Sequence, residues 1–109
     1  MNILFICSRN RWRSPTAEAI FRNDQFNSVR SAGTEPSAVR KVNEKDIHWA
    51  NLIFVMESKH RDRIIERFAN AIENKKIIIL DIPDEYQYMD PELIEVLKIS
   101  VLPFLKGNE

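Results

Sequence analysis

Four short apolar runs, separated by longer segments with helical spacing, set the pattern of this chain. The runs cover residues 2–6, 28–32 (closed by Gly33), 52–56 and 77–80. The third and fourth are continuous and rich in β-branched residues, as expected of strands buried on both faces of a parallel sheet. Between them lie helical patterns. Residues 15–24 carry Ala17, Ala19, Ile20 and Phe21, and a short helix over 43–49 opens at Asn43. A further helix is predicted from about Ser58, its N-cap, with Ile64, Ile65, Phe68 and Ile72 on one core-facing side. The last opens with Asp90 as N-cap and Pro91 in the first helical position. It continues through Leu93, Val96, Leu97, Val101 and Phe104, with Pro103 expected to kink or end it.

This strand–helix alternation predicts an α/β fold: an open, doubly wound, four-stranded parallel sheet flanked by helices. Residues 1–109 read as a single domain, with no repeat, linker or low-complexity tract. Ligands of such sheets bind at the carboxyl ends of the strands. Three segments fall there: the loop after the first strand, residues 31–34 and residues 81–86. The terminal Lys106-Gly107-Asn108-Glu109 is expected to fray.

Composition narrows the function. Sixteen basic residues balance sixteen acidic ones, giving a net charge of zero, which counts against a nucleic-acid partner. The charges are nonetheless sorted along the chain. Arg9, Arg11 and Arg13 crowd the first loop, whereas Asp81, Asp84, Glu85, Asp90, Glu92 and Glu95 crowd a later stretch. The single cysteine excludes an intrachain disulfide and points to a reducing compartment. The first apolar run is too short for a signal peptide, and no stretch reaches the length of a membrane span. The cytoplasm is the expected location, with no membrane partner. His48 and His60 are too few and too poorly placed to argue for a metal, and no cofactor is expected.

The chemistry concentrates in Cys7-Ser8-Arg9-Asn10-Arg11-Trp12-Arg13-Ser14. A thiol ends a strand, and an arginine and a serine stand where the next helix begins. A loop of this length can turn its backbone N–H groups onto one anion. The helix start adds unpaired N–H donors and the positive end of its dipole. Arg13 can grip two phosphate oxygens with its planar fork. In that field Cys7 can serve as a thiolate nucleophile, with Ser14 donating a hydrogen bond to it. Ser8, Arg9, Asn10, Arg11, Trp12 and Ser14 complete the expected substrate-binding loop. Trp12 either packs beneath the loop or flanks the pocket.

Attack by a thiolate on a phosphate ester also needs an acid to protonate the leaving oxygen. Three aspartates compete. Asp90 is explained as a helix cap. Asp81 ends a strand and could pair with a loop arginine. Asp84 follows Pro83 in a turn from which its side chain could reach the leaving group, and it is preferred. Tyr86 could form an aromatic wall for a ring.

The loop resembles the signature of the low-molecular-weight protein tyrosine phosphatases: Cys, five residues, Arg, Ser or Thr, usually then Pro, directly after the first strand. This chain keeps Cys7, Asn10 and Arg13-Ser14-Pro15. Arg9 stands where the family usually has Gly, a residue free at positive φ, and Trp12 where many members have a second Cys. The resemblance continues through Ser31-Ala32-Gly33-Thr34 and through residues 50–57, with Asn51 where the family has Asp. It reaches residues 81–86, the family's acid loop, with Glu85 in place of Pro. By that match Asp84 is the general acid, and Ser31 hydrogen-bonds Asn10 to hold the loop. Only residues 35–40 stand where the family usually has a longer wall-forming excursion. The pocket is therefore expected to be more open on that side, with Arg9 and Arg11 as a basic rim.

The implied activity is metal-independent hydrolysis of phosphomonoesters, phosphotyrosine in protein first among them, through a phosphocysteine. The substrate would be a phosphorylated protein or small molecule. Two alternatives stand beside it. One is a non-catalytic phosphate-binding module. The other is an arsenate reductase, which with a single cysteine would need an external thiol.

Overall fold

The computed structural model describes residues 1–105; the terminus expected to fray lies outside the described residues. The elements alternate as the pattern predicts: β1 (Asn2–Cys7), α1 (Arg13–Phe21), β2 (Ser28–Gly33), α2 (Glu44–Trp49), β3 (Leu52–Val55), α3 (Ser58–Arg67), α4 (Ala69–Ile72), β4 (Lys76–Ile79) and α5 (Pro91–Leu105). All four strands are parallel, in the order β2-β1-β3-β4. The order reverses beside β1, so a crevice opens at the carboxyl ends of β1 and β3, where Cys7 lies.

Alternation along β1 feeds two core layers. Ile3, Phe5 and Cys7 face one layer, together with Ala17 and Phe21 of α1 and Leu93, Leu97 and Val101 of α5. Leu4 and Ile6 face the other, with Ile47 of α2, Ile64 of α3 and Ile72 of α4. In the first layer the Phe5 ring stacks between Phe21 and Phe54, at centroid distances of 5.8 and 5.2 Å. Truncating a ring so enclosed costs about 3–5 kcal/mol. This rigid central strand is what fixes Cys7.

Four expectations change in the structure. β3 is buried throughout, but β4 is an edge strand and only partly covered, so its apolar run does not mark burial on both faces. The long third helix is two helices. Phe68 leaves helical dihedrals (φ −128°, ψ 38°) between them, and Ile65 points outward, 43% exposed, rather than into the core. Glu57, not Ser58, occupies the N-cap of α3. Pro103 lies inside α5 rather than ending it there. Asn43 and Asp90 cap as expected: Asn43 Oδ1 accepts the Asp46 N–H (2.9 Å), and Asp90 Oδ1 accepts the Glu92 N–H (2.9 Å). No helix among the described residues is long and apolar enough to cross a membrane.

Candidate active site

Cys7 ends β1 and pairs in register with Gly33 at the end of β2. The end of β2 and the segment behind it brace the loop. Thr34 N–H donates to the Cys7 carbonyl (3.0 Å), Glu35 N–H to that of Ser8 (2.9 Å) and Val39 N–H to that of Arg9 (3.0 Å). Gly33 is required by contact, not by backbone angle. A Cβ placed there would stand 2.6 Å from both the Ser8 carbonyl oxygen and the Ala38 Cβ.

The loop turns at Asn10, which has φ 54°. Asparagine tolerates this left-handed conformation better than most residues. Arg9 does not have a positive φ, so the loop makes no demand for glycine at that position. The Asn10 amide then ties the loop together. Nδ2 donates to Ser14 Oγ (2.9 Å) and to Ser31 Oγ (3.0 Å), the support expected of Ser31. Ser31 Oγ in turn donates to Glu18, which fixes the direction of its lone pairs. Ser14 Oγ lies 3.0 Å from Cys7 Sγ. Ser14 Oγ also lies 3.4 Å from the Ala32 carbonyl, so its one hydrogen has two acceptors within reach, that oxygen and the Cys7 sulfur. Trp12, at the N-cap of α1, makes no side-chain capping bond, which leaves the first turn without a side-chain acceptor.

Arg13 is 2% exposed and lies across the crevice. Its Nη1 donates to Glu57 Oε1 (2.6 Å) and to the Ile82 carbonyl (2.8 Å), and its Nε stands 3.7 Å from Asp84 Oδ1. These contacts occupy both Nη1 hydrogens and leave the Nη2 end of the fork for a ligand. Burial alone would push the Glu57 carboxyl up. The Arg13 hydrogen bond and charge, with Lys59 and His60 adding to them, outweigh burial and hold it below its ordinary value.

Cys7, Ser8, Arg9, Arg11, Trp12, Arg13 and Asp84 line one small pocket. Of the residues expected to bind substrate, Asn10, Ser14 and Tyr86 are not in its lining; Asn10 and Ser14 are buried and hydrogen-bonded to each other within the loop. Tyr86 instead packs, partly buried, against the first core layer. The aromatic side chain at the mouth is Trp12, 40% exposed, so it flanks the pocket rather than underlying the loop. Asp84 lines the pocket, whereas Asp81 is exposed, has φ 56°, and does not pair with Arg13. Asp90 caps α5. Arg9 is joined to Glu35 at 3.4 Å. Arg11 lines both this pocket and a broader groove bounded by Pro15, Glu18, Val39 and Tyr88.

Two side chains of this site carry no motif signal. Glu57 closes the segment 50–57 that the resemblance covers, where no role was attached to it, and its carboxylate holds Arg13. His60, weighed only as a metal ligand, is 1% exposed and sits behind Ser8. Its Nδ1 accepts the Glu57 N–H (3.0 Å), and its Nε2 lies 2.8 Å from Ser8 Oγ. Burial, then the charge of Arg13, pushes its pKa down to about 4, although Glu57 and Asp84 act in the opposite sense.

A buried thiol, a buried arginine fork and a helix start converge on one small pocket at the topological switch point of the sheet. The model of the low molecular weight phosphotyrosine protein phosphatase family matches residues 2–45 of this chain. The chain is 32% identical over 93 residues to a protein-arginine-phosphatase of Geobacillus stearothermophilus, a match covering 63% of this chain and 63% of that protein. The match thus spans less than two thirds of that relative. Among solved structures, a mutant of the YwlE arginine phosphatase with a phosphorylated active-site serine superposes with a TM-score of 0.72 at 24% identity, over 99% of this chain and 98% of its own. The tyrosine phosphatase Wzb from Escherichia coli K30, in complex with phosphate, superposes with a TM-score of 0.80 at 21% identity, over 99% and 98%.

Proposed function

We propose that this chain is a metal-independent, cysteine-dependent protein phosphatase that works through a phosphocysteine, with residues 1–109 acting as one domain in the cytoplasm. The observation that carries the reading is Cys7 Sγ at 3.0 Å from Ser14 Oγ, in a pocket shared with Arg13 and Asp84. Cys7 as thiolate attacks phosphorus, forming an S–P bond as the ester P–O bond breaks. Arg13 and the loop N–H groups hold the remaining phosphate oxygens and stabilise the charge that develops on them. Asp84, as the acid, gives its proton to the leaving oxygen. Asp84, now a carboxylate, takes a proton from water. The water attacks phosphorus, the S–P bond breaks, and the thiolate returns. Ser14 steadies the sulfur, while Asn10 and Ser31 hold the loop's shape.

Phosphotyrosine in protein is the favoured substrate, with the Trp12 face beside the pocket mouth to meet its ring. A second reading, hydrolysis of phosphoarginine, is favoured by the 32% identical protein-arginine-phosphatase. Arg9 and Arg11 at the mouth weigh against it, since a guanidinium leaving group would meet like charge there. Turnover of p-nitrophenyl phosphate, abolished in Cys7→Ser and in Arg13→Ala, tests the activity. Matched phosphotyrosine and phosphoarginine peptides separate the two readings. Absence of all turnover would leave the phosphate-binding module in its place.

A further inference from the structure

We propose that His60 is a positioning residue of the phosphate cradle: it fixes the Ser8 hydroxyl as an acceptor, so that the hydroxyl's own hydrogen is presented to the anion bound above Cys7. The inference rests on reading the Cys7 loop as that cradle.

Ser8 follows Cys7 directly, lines the same pocket and is 9% exposed. A serine hydroxyl has one hydrogen and can rotate to spend it on any nearby acceptor. His60 decides which. Its Nδ1 accepts the Glu57 backbone N–H at 3.0 Å, so that nitrogen cannot carry a hydrogen. The hydrogen of the neutral ring is therefore on Nε2, which lies 2.8 Å from Ser8 Oγ. Ser8 must accept there, and its hydrogen is left for the pocket. A doubly protonated ring would set its Nδ1–H against the Glu57 N–H. The groups facing His60 are Arg13, Glu57, Lys59 and Asp84. Burial and the Arg13 charge keep the ring neutral down to about pH 4, so one tautomer holds through the neutral range. The cradle thereby gains a fixed side-chain donor besides Arg13 and the backbone.

A purely structural role for His60 also exists, since the same Nδ1 contact caps the first turn of α3. Two substitutions separate the roles. His60→Asn keeps an acceptor near Nδ1 but loses the donor at Nε2. His60→Gln places a donor near Nε2 but loses the acceptor. The readouts are inhibition by orthovanadate, kcat and KM on p-nitrophenyl phosphate, and Tm. Ser8→Ala should weaken vanadate inhibition roughly tenfold or more, the worth of one hydrogen bond to a charged group. His60→Asn should weaken it in the same way, and His60→Gln should recover most of that loss despite a lower Tm. In the Ser8→Ala background, His60→Asn should add little further. The reverse order, with Gln damaging inhibition more than Asn in step with Tm, would overturn the proposal. So would an unchanged inhibition constant in Ser8→Ala, or a full additional loss in the double variant. A wild-type protein that neither turns over substrate nor binds vanadate would overturn the phosphatase reading itself, a result distinct from these.

Discussion

Replacing Gly33 with alanine adds one methyl group where β2 presses on the phosphate loop. The new Cβ would lie 2.6 Å from the Ser8 carbonyl oxygen, 2.6 Å from the Ala38 Cβ and 3.0 Å from the Asn10 nitrogen. Ordinary contacts begin about 1 Å further out, and none of these atoms belongs to a side chain that can swing away. Relief therefore requires the loop backbone at Ser8–Asn10, or the segment at Ala38, to move. Overpacking of this kind costs about 1–3 kcal/mol, and the rigid neighbours place Gly33→Ala at about 2–3 kcal/mol. For a domain near 100 residues this lowers Tm by roughly 10–20 °C. Because the displaced atoms belong to the anion cradle, kcat should also fall at least about tenfold below the melting range. Thermal unfolding and turnover of p-nitrophenyl phosphate measure the two effects. Ala38→Gly in the same chain removes one of the two closest contacts and should restore part of the loss, leaving the Ser8 contact unrelieved. A Tm within about 2 °C of wild type together with unchanged kcat would refute the claim that this contact shapes the loop.

Other outcomes follow from the same geometry. Asp84→Asn should lose far more rate on esters with poor leaving groups than on p-nitrophenyl phosphate, within the roughly 10²–10⁴-fold range of general acid catalysis. Asp81→Asn should show no such dependence, and a steeper dependence for Asp81→Asn than for Asp84→Asn would reassign the acid. Arg9 is paired with Glu35, so Arg11 should carry most of any preference for acidic phosphopeptides. Arg11→Ala should erase most of the kcat/KM ratio of acidic to neutral substrates at low salt, and the wild-type ratio should shrink as salt screens charges beyond roughly 8–10 Å. An unchanged ratio in Arg11→Ala would reject this. His60, at about pH 4 when folded against an ordinary 6.5, binds its proton more readily in the unfolded chain. Stability should therefore be fully present above pH 6.5 and fall as pH drops toward 4, by about 3 kcal/mol in total. Urea unfolding at pH 7 and pH 4.5 should show His60→Gln losing most of this decline, and an equal decline in both proteins would contradict it.

The strands and helices were legible because the apolar runs of the sheet and the apolar periods of α2 and α5 agree with their end signals. Asn43 and Asp90 mark two helix starts unambiguously. Cys7, Asn10, Arg13, Ser14 and Ser31 were legible for a different reason: their function requires particular residue types close together along one loop and the adjoining strand end. Ile65 and Phe68 misled because a break in helical dihedrals leaves no local signature when both flanking segments favour helix. Burial of β4 misled because an apolar run does not tell an edge strand from a central one. Tyr86 was expected at the pocket as an aromatic wall in the segment resembling an acid loop, whereas it packs against the first core layer. Glu57 and His60 escaped because their partners, Arg13 and Ser8, are more than forty residues away in sequence, at contacts that only the β1–β3 pairing brings together.

The central claim is that Cys7 carries the phosphoryl group. Rapid quenching of the wild-type protein with ³²P-labelled phosphopeptide under mildly alkaline denaturing conditions, followed by peptide mapping, tests it most directly. Label should appear on the peptide containing Cys7 during turnover, and Cys7→Ser should not turn over while still binding oxyanion. Sustained turnover by Cys7→Ser, or turnover by the wild type with no label on that peptide at any quench time, would contradict the account.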